Sequence, residues 1–319
     1  MTRHSAVPPP VTAVLDASSR WLPARLRQVE QLLREQAGGY GEALEADAAT
    51  TLEAGGKRLR PMLVLLSAGE EGGEEAVRAA TAIELVHMAT LVHDDVLDAA
   101  PLRRGRPTVA ATSGRERATA AGDLLFSRAF ALLAAAGDGR SIELLSAASV
   151  ALARGELAQR QDAYDTTIAE RRYLERCRLK TAALFECACL LGRDEPALGA
   201  FGAAIGLAFQ LLDDVLDVSG PAERTGKARG TDLLDGTVTL PLILAAERDP
   251  EIRAADLRSL DAAAAAQLCD RIEATGALTQ VRSRALDLVA EGKRKLTGYE
   301  AKRRKLFDLV ADGVVQRYS

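Results

Sequence analysis

The pentapeptide Asp-Asp-Val-Leu-Asp occurs twice in this chain, as residues 94–98 and again as residues 213–217, 119 residues apart. Each copy ends an apolar stretch with helical patterning. On a helix, residues i and i+4 project from one face. Asp94 and Asp98 therefore form one carboxylate pair, and Asp213 and Asp217 another. Carboxylates placed together repel, which raises their pKa values and costs stability unless cations neutralise them. Negative charge at a helix C-terminus also opposes the helix dipole. Two such ends in apolar helical surroundings call for hard cations. Magnesium, held by a few carboxylates plus substrate phosphates, suits this donor set.

Composition extends the helical reading to the whole chain. Of 319 residues, 48% are hydrophobic and only 4% aromatic, so the apolar content is mostly Ala, Leu and Val. Ala and Leu favour helix over strand, and no strand-like alternation stands out. An all-α protein with ample core follows. Helical periodicity predicts helices over 12–36, 41–53, 60–70, 74–98, 115–136, 140–164, 168–191, 195–218, 237–248 and 276–314, the last broken at Gly292 or Gly298. Residues 1–20, with Pro8-Pro9-Pro10, read as a loose tail, and 21–319 as a single all-helical domain. The net charge of −4 gives no case for nucleic acid. No apolar run approaches the roughly 18 residues of a membrane span, and the N-terminus lacks a signal-peptide pattern. Cys177, Cys187, Cys189 and Cys269 have no zinc-like spacing. They read as small buried hydrophobes of a reduced compartment, so a cytoplasmic location is expected.

The acidic motifs have basic company. Gly55-Gly56-Lys57-Arg58-Leu59-Arg60-Pro61 sets three cations at a flexible turn before a helix, and Arg103-Arg104-Gly105 follows the first acidic motif. Lys180-Thr181 opens an apolar run. Residues 219–236, with Gly220, Gly226, Gly230 and Gly236, are too Gly-rich for a stable helix and too long for an ordinary connector. That segment reads as an active-site lid carrying Lys227, with a floppy surface loop as the alternative. Lys and Arg on flexible loops suit diphosphate oxygens. Acidic groups for metal, basic groups for phosphate and apolar helices beneath describe a site for a molecule with a diphosphate head and a hydrocarbon tail. His87 lies two turns before Asp94 on the same face and reads as a ligand-binding side chain, with simple packing as the alternative. His93 is given no role. Gln210, one turn before Asp213, reaches the same cleft, while Phe209 and Phe126 read as cavity wall or core.

Ordered along the chain, the Gly55–Pro61 block, Glu84-Leu85-Val86-His87, Leu91 to Asp98, Arg103-Arg104-Gly105, Gly122-Asp123, Lys180-Thr181, Phe209 to Asp217, Gly226-Lys227, Gly230 to Leu233 and Thr239-Leu240-Pro241 resemble the trans-isoprenyl diphosphate synthases of the polyprenyl synthetase family. The resemblance spans roughly residues 25–245. It implies the isoprenoid synthase fold, a single large bundle of long helices around a deep central cavity, normally in a homodimer. It implies a magnesium-dependent head-to-tail condensation of isopentenyl diphosphate with an allylic diphosphate, catalysed through Asp94, Asp95, Asp98, Asp213, Asp214 and Asp217. Asp94 and Asp98 would bind magnesium on the allylic diphosphate and Asp213 a further ion, about three ions in all. Lys57, Arg60, His87 and Arg104 would hold isopentenyl diphosphate; Arg103, Lys180, Thr181, Gln210 and Lys227 would contact the allylic diphosphate.

The chain departs from the family at Thr237, where a lysine is usual. Short-chain members tend to carry aromatic residues where this chain has Ala89 and Thr90. An open cavity there implies a medium- or long-chain product, roughly six to ten units at one isoprene per helical turn, with Phe126, Phe130 or Leu133 as its floor. The alternatives are a geranylgeranyl diphosphate synthase, a terpene cyclase and a non-catalytic synthase subunit. The basic C-terminal residues Lys293, Arg294, Lys295, Lys302, Arg303, Arg304 and Lys305 read as a solvated face or as a peripheral membrane contact.

Overall fold

The computed structural model describes residues 9–18, 21–53, 55–103, 105–220 and 229–316. The described residues are overwhelmingly helical, and the chain divides into two compact units. One comprises residues 1–149, 187–199 and 298–313; the other comprises 150–186, 200–297 and 314–319.

The first unit opens with α1 (Pro9–Ala17), so part of the tail expected to be loose is helical, with Val14 buried. It continues through α2 (Trp21–Ala37), α3 (Glu42–Glu53), α4 (Leu59–Ala68), α5 (Gly73–Leu97), α6 (Val109–Ser113), α7 (Arg115–Ala135) and the start of α8 (Gly139–Gln161). The helix predicted over 12–36 is thus two helices. α4 is buried along its length from Pro61 to Ala68, as a stretch apolar but for Ser67 requires. α5, at 25 residues, forms the spine of this unit: Ile83, Leu85, Val86 and Ala89 are fully buried. Gly122 on α7 makes room for the His93 ring of α5; a Cβ there would overlap the imidazole.

Between α5 and α6, Leu102–Arg103 (β1) and Arg106–Pro107 (β2) pair antiparallel with Arg103 opposite Arg106. This ribbon is a departure from the strand-free expectation. Its two-residue connection places Gly105 at φ 75°, the positive-φ geometry that tight hairpins need.

The second unit takes the rest of α8, then α9 (Glu170–Cys177), a π turn (Arg178–Ala182) and the start of α10 (Ala183–Gly192). Most of α11 (Pro196–Ser219) follows, then α12 (Thr231–Leu234), α13 (Leu240–Arg248), α14 (Pro250–Arg253), α15 (Ala262–Ala274), α16 (Ala277–Lys295) and the end of α17 (Ala301–Gln316). The predicted 276–314 helix breaks around Gly298; Gly292 is buried within α16. α15 has no counterpart among the predicted helices. Its five consecutive alanines carry no polar face and so no periodicity, yet Ala is the best helix former. Asp261 caps it, its Oδ1 accepting the Ala264 N–H at 2.8 Å.

Against the expectation that no apolar run approaches a membrane span, α7 and α11 are long and apolar enough to cross one by length and composition. Two-thirds of the apolar window of α11 (67%) is buried inside the protein, against 33% for α7.

Candidate functional site

The first acidic motif closes α5, with the Asp98 N–H donating to the Asp94 carbonyl at 2.8 Å. Its three carboxylates have different surroundings. Asp95 is buried, and Arg103 Nε donates to its Oδ1 at 2.7 Å. Asp94 is half-buried and Asp98 exposed. The pentapeptide thus sends its middle carboxylate inward, where it fixes the arginine of the β1–β2 ribbon.

A pocket beside this helix end is lined by Gly55, Arg58, His87, Asp95, Arg103 and Arg106, with apolar Met88, Leu91 and Val109 beneath. Of the residues singled out in the sequence, its lining holds His87, Asp95 and Arg103, while the Gly55–Pro61 loop contributes Gly55 and Arg58 and not Lys57 or Arg60. It also brings in Arg106 and the end of α3 through Thr50 and Thr51, which sequence reasoning passed over. Arg58 shapes the loop. It occupies the left-handed region at φ 48°, and its guanidinium bonds Glu30 at 2.5 Å and Glu84 at 2.8 Å. Burial works against that charge, but Glu84 and Glu30 outweigh it and hold the Arg58 pKa above its usual value. With Arg58 turned inward, Lys57 stays exposed and Arg60 half-buried at the start of α4. Ala89 is fully buried; Thr90 Oγ1 donates to the His87 carbonyl at 2.8 Å. His93 Nε2 sits 3.2 Å from Asp123 Oδ1, an ion pair only when the ring is protonated. Arg104 lies outside the described residues.

In the second unit the same pentapeptide is used differently. Asp213 is exposed, whereas Asp214 is only 2% exposed. Tyr173 OH donates to Asp214 Oδ2, and Gln210 Nε2 donates to Oδ1 at 2.7 Å. Gln210 Oε1 in turn accepts from Thr181 Oγ1 at 2.6 Å, so Thr181, Gln210, Asp214 and Tyr173 form one chain. Burial, then the negative charge of Asp232, pushes the Asp214 carboxyl up to about 8 against the hydrogen bonds that favour its anion. Burial also pushes the adjacent Cys177 thiol up to about 12, which keeps it neutral and unreactive. Asp217 Oδ2 accepts the Asp232 N–H at 3.2 Å, and its carbonyl accepts the Gly230 N–H at 2.9 Å.

Those last bonds correct the predicted extent of the lid. Residues 229–236 are docked: Arg229 donates to the Val218 carbonyl and pairs with Asp270 at 2.5 Å and Glu273 at 3.2 Å, and Leu233 is buried. Lys227 lies outside the described residues. Thr237, where the family lysine is absent, is half-buried, and its N–H donates to the Asp232 carbonyl at 2.7 Å. Lys180 Nζ pairs with Glu156 Oε2 at 2.5 Å. Sequence reasoning also missed Arg176, which is buried, donates to the Val238 carbonyl at 2.5 Å and pairs with Asp162 at 3.4 Å. Its helix, Glu170–Cys177, is crowded with charged residues, and nothing in the sequence separates the one buried arginine from its exposed neighbours. Among the basic C-terminal residues, Arg303 turns inward, donating to the Ser67 carbonyl and lying over the Tyr299 ring at 5.4 Å.

Among the described residues no three His, Cys, Asp or Glu side chains converge as a ready cage. The donor set nonetheless fits a hard divalent ion. Magnesium takes one or two carboxylates from protein and its remaining ligands from water and substrate phosphates. Asp94 and Asp98 would hold such an ion at the end of α5, and Asp213 another at the end of α11.

The buried Asp214 predicts an unusual pH dependence of stability in the metal-free protein. A carboxyl whose folded pKa of about 8 exceeds its unfolded value near 3.9 binds a proton more tightly when folded. Its contribution is fully present below pH ~4 and is lost as pH rises toward about 8. Denaturant melts of Asp214→Asn across this window should show a flatter profile than the parent chain; parallel profiles would show that Asp214 is already ionised.

The family model described as polyprenyl synthetase matches residues 42–272. The chain is 42% identical over 238 residues to heptaprenyl diphosphate synthase component 2 of Geobacillus stearothermophilus, covering 72% of this chain and 73% of that protein. It is 40% identical over 199 residues to octaprenyl diphosphate synthase of Escherichia coli (strain K12), covering 59% of this chain and 62% of that one. Among solved structures, the polyprenyl synthase from Caulobacter crescentus CB15 complexed with calcium and isoprenyl diphosphate superposes with a TM-score of 0.89 at 33% identity, covering 96% of this chain and 98% of that one.

Proposed function

The chain belongs to the polyprenyl synthetase family, and from that premise we propose that it condenses isopentenyl diphosphate head-to-tail with an allylic diphosphate to give a medium- or long-chain all-trans polyprenyl diphosphate. The observation that carries this reading is the pairing of exposed and inward carboxylates at two helix ends, with a basic pocket beside the first. Asp94, Asp98 and Asp213 are accessible to an ion, while Asp95 and Asp214 serve the protein's own scaffold. Magnesium bound at these carboxylates would supply charge neutralisation for the departing diphosphate.

The chain's own groups do the rest. Arg103 and Lys180 stabilise negative charge developing on the allylic diphosphate, with Thr181 and Gln210 orienting its oxygens. Lys57, Arg60 and His87 hold isopentenyl diphosphate so that its double bond meets the allylic carbon, and that positioning supplies much of the rate. The released diphosphate is the acceptor for the proton lost at the end, because among the described residues no side chain stands out as a base. Purified chain incubated with isopentenyl diphosphate, farnesyl diphosphate and magnesium should yield products of roughly six to ten units by mass spectrometry. Absence of any elongated product from the chain, both alone and with a partner component added, would refute the assignment.

Two relatives make hepta- and octaprenyl chains by name, which supports the long product. Ala89 contributes the small side chain that would leave room for it. Ala89→Phe should shorten the product by at least one unit with turnover preserved. If the site has no hollow behind it, the larger ring will instead cost roughly 1–3 kcal/mol of stability and leave the product ladder unchanged.

We read the active species as a homodimer. The name of the Geobacillus relative, component 2, favours a second arrangement in which this chain works with a different component. Light scattering and assay of the chain alone separate them, since a component would be inactive until its partner is added.

A further inference from the structure

Lys180 and Thr181 sit on the π turn, where the Ala183 N–H reaches back five residues to the Arg178 carbonyl. Such turns are rare and strained relative to α-helix, and often mark functional positions. Three features clamp this one. On one side Gly155 of α8 lies so near that a Cβ there would come 2.6 Å from the Lys180 nitrogen. On the other, Gly206 of α11 leaves a Cβ position only 2.8 Å from Ala182 Cα. Backbone proximity alone does not set the direction of the Thr181 hydroxyl. That is done by a partly buried chain in which Thr181 Oγ1 donates to Gln210, Gln210 donates to Asp214, and Tyr173 OH donates to Asp214 from the other side. Tyr173 is 1% exposed and lies two turns before Thr181 on the same helical run, so the chain closes a loop from α9 through α11 back to the turn. It orients both ends of the Gln210 amide at once, because one end donates to Asp214 and the other accepts from Thr181.

We propose that Tyr173 is a positioning residue for the allylic substrate: acting through Asp214 and Gln210, it sets the orientation of Thr181 and of the π turn that presents Lys180. The inference rests on the prenyl-transfer reading above. Remove the phenol oxygen and Asp214 loses one of its two side-chain partners, so the carboxylate that holds the Gln210 amide is itself less firmly fixed, and with it the direction of the Thr181 hydroxyl.

Tyr173→Phe keeps the ring and removes only that oxygen. Steady-state kinetics should show the KM for farnesyl diphosphate rising about tenfold, as expected for one weakened hydrogen-bonded contact, with the KM for isopentenyl diphosphate within about twofold of the parent value. Thr181→Val should give the same selective change, and the double variant should be no worse than either single one. Equal changes in both KM values, or a fall in kcat alone, would mean that Tyr173 merely supports the fold and would overturn the proposal; so would unchanged kinetics. If Tyr173→Phe fails to fold by circular dichroism, Asp214→Asn, which keeps the shape of the link, serves in its place under the same criteria. The parent chain run in parallel separates the two failures. A parent inactive both alone and with a partner component added sinks the prenyl-transfer reading, whereas an active parent with no selective KM change in the variants sinks this inference alone.

Discussion

Replacing Asp94 or Asp213 with alanine is expected to cut kcat roughly a thousandfold while leaving the fold intact. A thousandfold corresponds to about 4 kcal/mol of transition-state stabilisation, the scale seen when one charged or hydrogen-bonding element facing a developing anion is removed. Asp95, Asp214 and Asp217 bond to groups of the surrounding scaffold. Asp213 is exposed, and its charge is among the causes that raise the neighbouring Asp214 pKa. Its removal relieves repulsion, so the thermal midpoint of Asp213→Ala should stay level or rise slightly. Loss of activity without loss of stability is the signature of a site maintained at some expense to the fold. Initial rates with labelled isopentenyl diphosphate, paired with thermal melts, check both halves. Near-normal rates in either variant would remove that carboxylate from the reaction.

Gly236→Ala is expected to destabilise the protein by roughly 2–5 kcal/mol. Two penalties combine. Gly236 has φ 71°, where an L-residue pays about 1–2 kcal/mol. A Cβ there would also overlap the Tyr164 ring, and overpacking costs about 1–3 kcal/mol. The ring cannot easily swing aside. The Tyr164 N–H donates to the Gly236 carbonyl at 2.7 Å, and the Arg258 guanidinium lies over the ring at 4.5 Å. Chemical denaturation should register the loss, with a thermal midpoint lower by roughly 10 °C. A change below about 1 kcal/mol would show that this turn can relax and that the glycine has no steric duty.

Much of the architecture was readable from residue order. Ala- and Leu-rich runs punctuated by glycines marked the helices that carry the site, and α5 and α11 end where their acidic motifs end. Periodicity failed where it had no contrast to work with, as in the alanine run of α15, and where tertiary bonds override local preference. The docked segment 229–236 is such a case: its glycines suggest an open loop, yet Arg229 and Asp217 tie it down. The β1–β2 ribbon is too short to show alternation at all.

By itself the sequence determined that acidic helix ends, basic turns and apolar helices would occur together in one order, because composition and i,i+4 spacing are local properties of the chain. It could not determine which carboxylate of each Asp-Asp-Val-Leu-Asp copy faces water and which faces inward. Identical pentapeptides have identical local physics, and only their neighbours differ. Arg103 claims Asp95, while Tyr173 and Gln210 hydrogen-bond Asp214, whose burial pushes its pKa up to about 8 against those bonds. Burial and hydrogen-bond partners arrive from distant parts of the chain, and they make two copies of one motif chemically different.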